Sequence, residues 1–355
     1  MKRLSISDRY TYCGILFGFL FPLLSTLFET YMQLGQISLL EMMHIQEDHP
    51  LLWVIDTAPI FLGFTARLAG RKQEAAEKMN RQLKLLNREL NLEIIKNRTI
   101  ENNLRDMIST YKEDLNSAKI VQEFMLPEIP KIPECKISYK YLPLNPVGGD
   151  LLSVIPLEEG GLSILIGDVV GHGISAALIA SLVKVFSNKN CRNFGTLPKL
   201  YMEQLNKEAG NYLPNDYFFT ALYGFLKFEK DSAKFIYSRA GHPYPFLFSH
   251  KAQKAGIIEV SGSPLGLMKN LHYSETETEV FPKDRIFLIT DGLLEVRNQS
   301  GKFIGSEGFI EIINEICRQD LSLNESIEKI LQRVDEEGLY APPEDDRLIL
   351  GIEIC

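Results

Sequence analysis

Two long apolar runs stand near the start of the chain. Tyr10 to Phe28 carries no charge, and Leu51 to Ala69 is apolar apart from Asp56 and Arg67. Each is long enough to cross a hydrocarbon layer of roughly 30 Å as a helix. Glu29, Glu41, Glu47 and Asp48 lie between them. Lys2, Arg3 and Arg9 precede the first run, and Arg67, Arg71 and Lys72 end or follow the second. Positive residues favour the cytoplasmic flank, so the pattern predicts a membrane hairpin over residues 1–72. Both termini would face the cytoplasm, with the acidic loop outside the cell (inner) membrane. Two other readings compete: a cleaved leader for the first run and a buried soluble helix for the second, where Asp56 is costly in lipid.

From Met79 to Met125 the apolar positions change to a seven-residue period. One seam position holds Leu83, Leu90, Asn97, Leu104, Tyr111, Ala118 and Met125. Its partner holds Met79, Leu86, Glu93, Ile100, Met107, Asp114 and Val121. Gly and Pro are absent from the stretch. This predicts a connector helix over residues 73–126, most simply a parallel coiled-coil homodimer, with a single long helix as the competing reading. Pro127, Pro130 and Pro133 stop it.

The remainder, 127–355, reads as short strands and paired helices. Strands are expected at Lys136–Leu144, Leu151–Pro156, Leu162–Asp168, Tyr217–Phe228, Ala233–Ser238, Tyr244–Phe248, Ile257–Val260, Glu275–Phe281, Asp284–Thr290 and Arg347–Ile354. Helices are expected at Ile174–Phe186, Leu197–Ala209, Ser306–Arg318 and Asn324–Glu336. Strands and helices do not alternate regularly, so the class is α+β, a sandwich of sheets with helices outside.

Composition changes this picture little. A net charge of −8 lacks the basic face that a nucleic-acid binder needs. The five cysteines show no metal-ligand or redox spacing. The chemistry lies in acidic residues at strand ends. Asp150 follows Gly148 and Gly149; Asp168 precedes the turn Gly171–His172–Gly173; Asp291 precedes Gly292; Asp345 and Asp346 precede the last strand. Carboxylates at strand edges, without a His or Cys ligand set, favour hard cations such as Mg²⁺ or Mn²⁺ over zinc. Taken singly, each is equally a solvated turn residue. A diguanylate cyclase reading of GGD fails, because Leu151 and Leu152 follow where that chemistry wants an acidic residue and a phenylalanine.

The motifs AKIVQEFMLPEIP, VGGD, GDVVGHG, FFTALYGFL, AGHPYPFLF, SPLGLM, TDGLLEV and EDDRLIL occur in this order. Together they resemble the PPM-type (protein phosphatase 2C fold) serine/threonine phosphatases of the bacterial SpoIIE-like branch. The resemblance covers about Asn116 to Cys355. It implies two packed antiparallel sheets and a centre of two Mn²⁺ or Mg²⁺ ions. Asp168 would bridge both ions, Val169 would offer its carbonyl, Asp150 would bind one ion, and Asp291 and Asp345 would complete the other. The motif leaves open whether Asp345 or Asp346 binds. His172 would protonate the leaving serine or brace the loop; Gly241 and His242 would pack. Such a pair of ions lowers the pKa of water enough to supply hydroxide near neutral pH. The implied substrate is a phosphorylated regulator, in this branch a STAS-domain anti-sigma factor antagonist. The chain departs from the family pattern at Ser153, where an aspartate is usual, and at Leu348, where Thr or Ser is usual. These departures support a second reading, a membrane receptor with a decayed phosphatase domain that acts by binding its partner.

Overall fold

The structure, a computed structural model, describes residues 4–214, 216–298, 301–336, 340–342 and 344–355. It divides into two compact units, Met1–Met107 and Ile108–Cys355.

The first unit holds helices α1 (Ile6–Gly18), α2 (Leu20–Leu34), α3 (Leu39–Asp48), α4 (Pro50–Ile55) and most of α5 (Ala58–Met125). Ile6–Leu34 and the helical stretch beginning at Pro50 are long and apolar enough to cross a membrane. Small residues bring α1 and α5 together. A methyl group added to Gly14 or Gly18 would strike Leu62 or Pro59, and one on Gly63 or Gly70 would strike Ile15 or Ser7. Close backbone approach through small residues suits helices that pack without water to drive them together. Asp56 is not left bare, since Gln46 Nε2 donates to both its carboxylate oxygens at 2.9 and 2.7 Å.

The second unit is a four-layer sandwich. Its strands are β1 (Cys135–Leu142), β2 (Asp150–Pro156), β3 (Leu162–Val169), β4 (Phe219–Phe228), β5 (Ala233–Ala240), β6 (Phe246–Ser249), β7 (Lys254–Ile257), β8 (Glu275–Val280), β9 (Arg285–Ile289) and β10 (Arg347–Ile354). They form two antiparallel five-stranded sheets, ordered β1-β10-β9-β6-β7 and β2-β3-β4-β5-β8. The inner faces bury Leu152, Ile164, Ile166, Leu222, Leu288, Leu348 and Leu350 against one another. Helices α6 (Ile174–Phe194) and α7 (Pro198–Tyr212) cover the second sheet. Helices α8 (Gly305–Cys317) and α9 (Leu323–Val334) cover the first. Continuous apolar runs such as Leu162–Ile166 are explained by this double covering, which buries both faces of a central strand.

Two elements differ from the sequence pattern. The strand expected at Ile257–Val260 lies earlier, at Lys254–Ile257. It is an edge strand with exposed Lys254, so its side chains carry little apolar signal; Ile258 packs on the core from a loop instead. Helix α6 runs on to Phe194 rather than stopping at Phe186. Asn190 and Cys191 are buried in the extension, and neither Gly nor Pro interrupts it before Gly195.

Candidate metal centre

The strand pairing gathers the aspartates at one end of the sandwich. Antiparallel register sets Asp150, at the start of β2, opposite Asp168, near the end of β3. In the other sheet Asp291 follows the end of β9 and Asp345 precedes the start of its neighbour β10. A side chain on Gly292 would strike the Asp346 carbonyl, so the two segments touch there. The sheets are tied together at this end by Thr290. Its hydroxyl donates to Asp150 Oδ2 at 2.9 Å and accepts from the Leu348 amide at 3.0 Å.

The loop before Asp150 is held by long-range bonds. Asp346 Oδ1 accepts from the Leu144 amide at 2.8 Å, and Oδ2 from the Gly149 amide at 2.9 Å. From the other side Gln122, near the end of α5, donates to the Gly148 carbonyl at 2.7 Å and accepts from the Gly148 amide at 3.0 Å. A methyl on Gly149 would stand 2.9 Å from the Val169 carbonyl oxygen and 3.0 Å from Asp168 Oδ1. Glycine there therefore lets the loop press against the Asp168–Val169 corner. Gly171 and Gly173 take φ of +94° and +80°, which lets the chain turn sharply into α6.

The electrostatics follow from crowding like charges. Burial pushes the Asp150 carboxyl well above the usual range, and Asp168, Asp346 and Asp291 push it further. Asp168 is pushed up to about 8 by burial, then by Asp291, Asp345 and Asp346. Asp291 is pushed up to about 6 by burial, Asp345 and Glu295. Asp346 is raised by burial, against which its two backbone N–H partners act.

A divalent pair fits this donor set: carboxylates and a main-chain carbonyl, hard oxygens that repel one another until a cation arrives. The set is gathered rather than closed, since among the described residues no three acidic, histidine or cysteine side chains already meet around one point. Asp345 acts on both Asp168 and Asp291, whereas both Asp346 oxygens are engaged by the loop. His172 is exposed in its turn, close enough to Asp346 for its charge to act there. His242 is buried behind the site, its Nδ1 2.9 Å from Oγ1 of Thr220, the residue paired with Asp168 across the sheet; burial and Arg239 push it down to about 3.

The two departures from the family pattern are absorbed locally. Ser153 donates to Asn188 Oδ1 on α6 at 3.2 Å. Leu348 is buried between the sheets while its amide serves Thr290.

Residues 158–354 match the family model for stage II sporulation protein E. The chain belongs to the SpoIIE family. Its second unit is a phosphatase domain of the protein phosphatase 2C type. Among relatives of this SpoIIE-family chain, the phosphoserine phosphatase RsbU of Bacillus subtilis is 26% identical over 239 residues, covering 67% of this chain and 70% of RsbU. The phosphoserine phosphatase RsbP of the same organism is 28% identical over 189 residues, covering 52% of this chain and 46% of RsbP. The SiaA phosphatase domain of Pseudomonas aeruginosa shares the fold, with a TM-score of 0.61 at 19% identity over 70% of this chain and 98% of that domain.

Proposed function

We propose that this chain is a membrane-anchored, divalent-metal-dependent phosphoprotein phosphatase that removes phosphate from serine or threonine of a regulatory protein. The observation that carries it is the convergence of Asp150, Asp168, Asp291 and Asp345, far apart in sequence, into one half-buried acidic site. Asp150, Asp168, Asp291, Asp345 and the Val169 carbonyl would hold two Mn²⁺ or Mg²⁺ ions. Bound ions supply a nucleophile from water near neutral pH and offset charge on the phosphoryl group. The chain's own part is to orient. Thr290 fixes the Asp150 carboxylate, Asp346 fixes the loop that carries it, and His172, near Asp346, would protonate the departing serine oxygen. By the motif resemblance, the substrate of this chain would be a phosphorylated STAS-domain anti-sigma factor antagonist. Full-length protein in detergent should hydrolyse an aryl phosphate and a phosphoserine protein in Mn²⁺, and stop when EDTA is added. No turnover of either in saturating Mn²⁺ would leave the receptor reading in its place. Thr290 speaks against that reading, because its hydroxyl braces Asp150 without needing a hydroxyl at position 348.

The proposed domain limits are 1–72 for the hairpin, 73–126 for the connector and 127–355 for the phosphatase. Leu83, Leu90, Leu104 and Tyr111 form an exposed apolar seam on α5. A second copy in parallel register is the partner that this seam fits. Asn97→Cys should then give a disulfide-linked dimer on mild oxidation, whereas Arg98→Cys, outside the seam, should not. Equal cross-linking at both positions would remove the seam.

A further inference from the structure

Tyr141 carries a hydroxyl that the described residues leave without a partner. The residue lies near the end of β1, opposite Leu348 of β10, and its ring packs on the core between the sheets. The hydroxyl is buried and makes no hydrogen bond among the described residues. An orphaned buried O–H is destabilising, and phenylalanine would fill the same space without that penalty. A tyrosine held there therefore suggests that the donor finds its acceptor in another state of the site.

The surroundings identify that state. A side chain on Gly148 would strike both the Tyr141 hydroxyl and Asp346 Oδ2, so both oxygens stand close over the Gly148 backbone. Burial pushes the phenol far upward, and the neighbouring charges of Asp346, Asp150 and Asp168 push it further. The hydroxyl thus stays protonated and remains a donor facing an anionic cluster. Asp346 is the carboxylate that holds the loop of Gly149, directly before Asp150.

We propose that Tyr141 is a positioning residue for the metal centre. With divalent ions bound, its hydroxyl donates to the Asp346 carboxylate and fixes the Gly148–Asp150 loop in its ligating position. This rests on the proposed ion site, and the experiment separates the two. Mn²⁺ binding to the full-length chain in detergent is measured by calorimetry for wild type and Tyr141→Phe, and both melting temperatures are taken in EDTA. The variant should bind Mn²⁺ about tenfold more weakly, as loss of support behind a ligand generally does. Its melting temperature in EDTA should be unchanged or higher, because an unsatisfied donor has been removed. Saturating Mn²⁺ should restore turnover. A change in affinity below about threefold would overturn the role of Tyr141 alone, well short of that expectation. A melting temperature lowered in EDTA would show a packing role instead and would also overturn it. Failure of the wild type to bind Mn²⁺ would overturn both readings.

Discussion

Asp168→Asn is expected to lower turnover on the order of 10³-fold or more while the domain stays folded. Asp168 lies on β3, a central strand, and its carboxyl shares a hydrogen bond with the paired Asp150 at the same end of the sheet. It faces Asp291, Asp345 and Asp346, all of the same sign. Asparagine keeps the shape and removes one charge, so the ion-free protein should melt no lower than wild type. The proposed ions would lose a ligand, and with it the means of activating water. Assay of the purified variant beside its melting curve is the check. Turnover within tenfold of wild type would remove Asp168 from the centre.

The second large effect is an inversion of pH dependence by metal. In the ion-free protein the Asp168 pKa of about 8 lies above its unfolded value, and so does Asp291 at about 6. For an acid, that means the folded state holds more protons between about pH 4 and pH 8. The stabilisation is full below the unfolded pKa and is lost as pH rises through the folded one. In EDTA the melting temperature should therefore fall from pH 5 to pH 8, and fall less in Asp168→Asn. Ions need the carboxylates ionised, so Mn²⁺ should bind more tightly as pH rises and should release protons on binding. At 100 times its Kd, Mn²⁺ adds about 2.7 kcal/mol. That is a rise of roughly 5–10 °C for a unit of this size. Calorimetry in two buffers of different ionisation enthalpy counts the protons. Zero release at pH 7, or a melting temperature in EDTA that climbs towards pH 8, would contradict the electrostatic picture.

Much of this was legible before folding because it is written locally. Arg347–Ile354 is a strand end to end, and Leu162–Ile166 is the apolar core of another. Each ligand candidate sits beside a strand end, a turn glycine, or both. The supports were not legible. Thr290 meets Asp150 across 140 residues and Asp346 meets Leu144 across 202, so no window of sequence contains both partners. Gln122 lies in the connector pattern outside the apolar seam, where a polar residue looks like solvated surface. Tyr141 reads as one more aromatic in a strand; only the pairing of β1 with β10 brings it beside the aspartates. The edge strand β7 was misplaced for the opposite reason, since its backbone bonds to β6 set it and its side chains do not.

Strand β10 lies between β1 and β9 in its sheet, and Asp345 arrives on the turn just before it. A nonsense or frameshift allele upstream of codon 345 thus removes a shared hydrogen-bonding neighbour and a carboxylate in one event. Shortened products should be insoluble nulls instead of dimmed enzymes, and a genetic screen for partial loss of function should return missense changes from this region and almost no truncations.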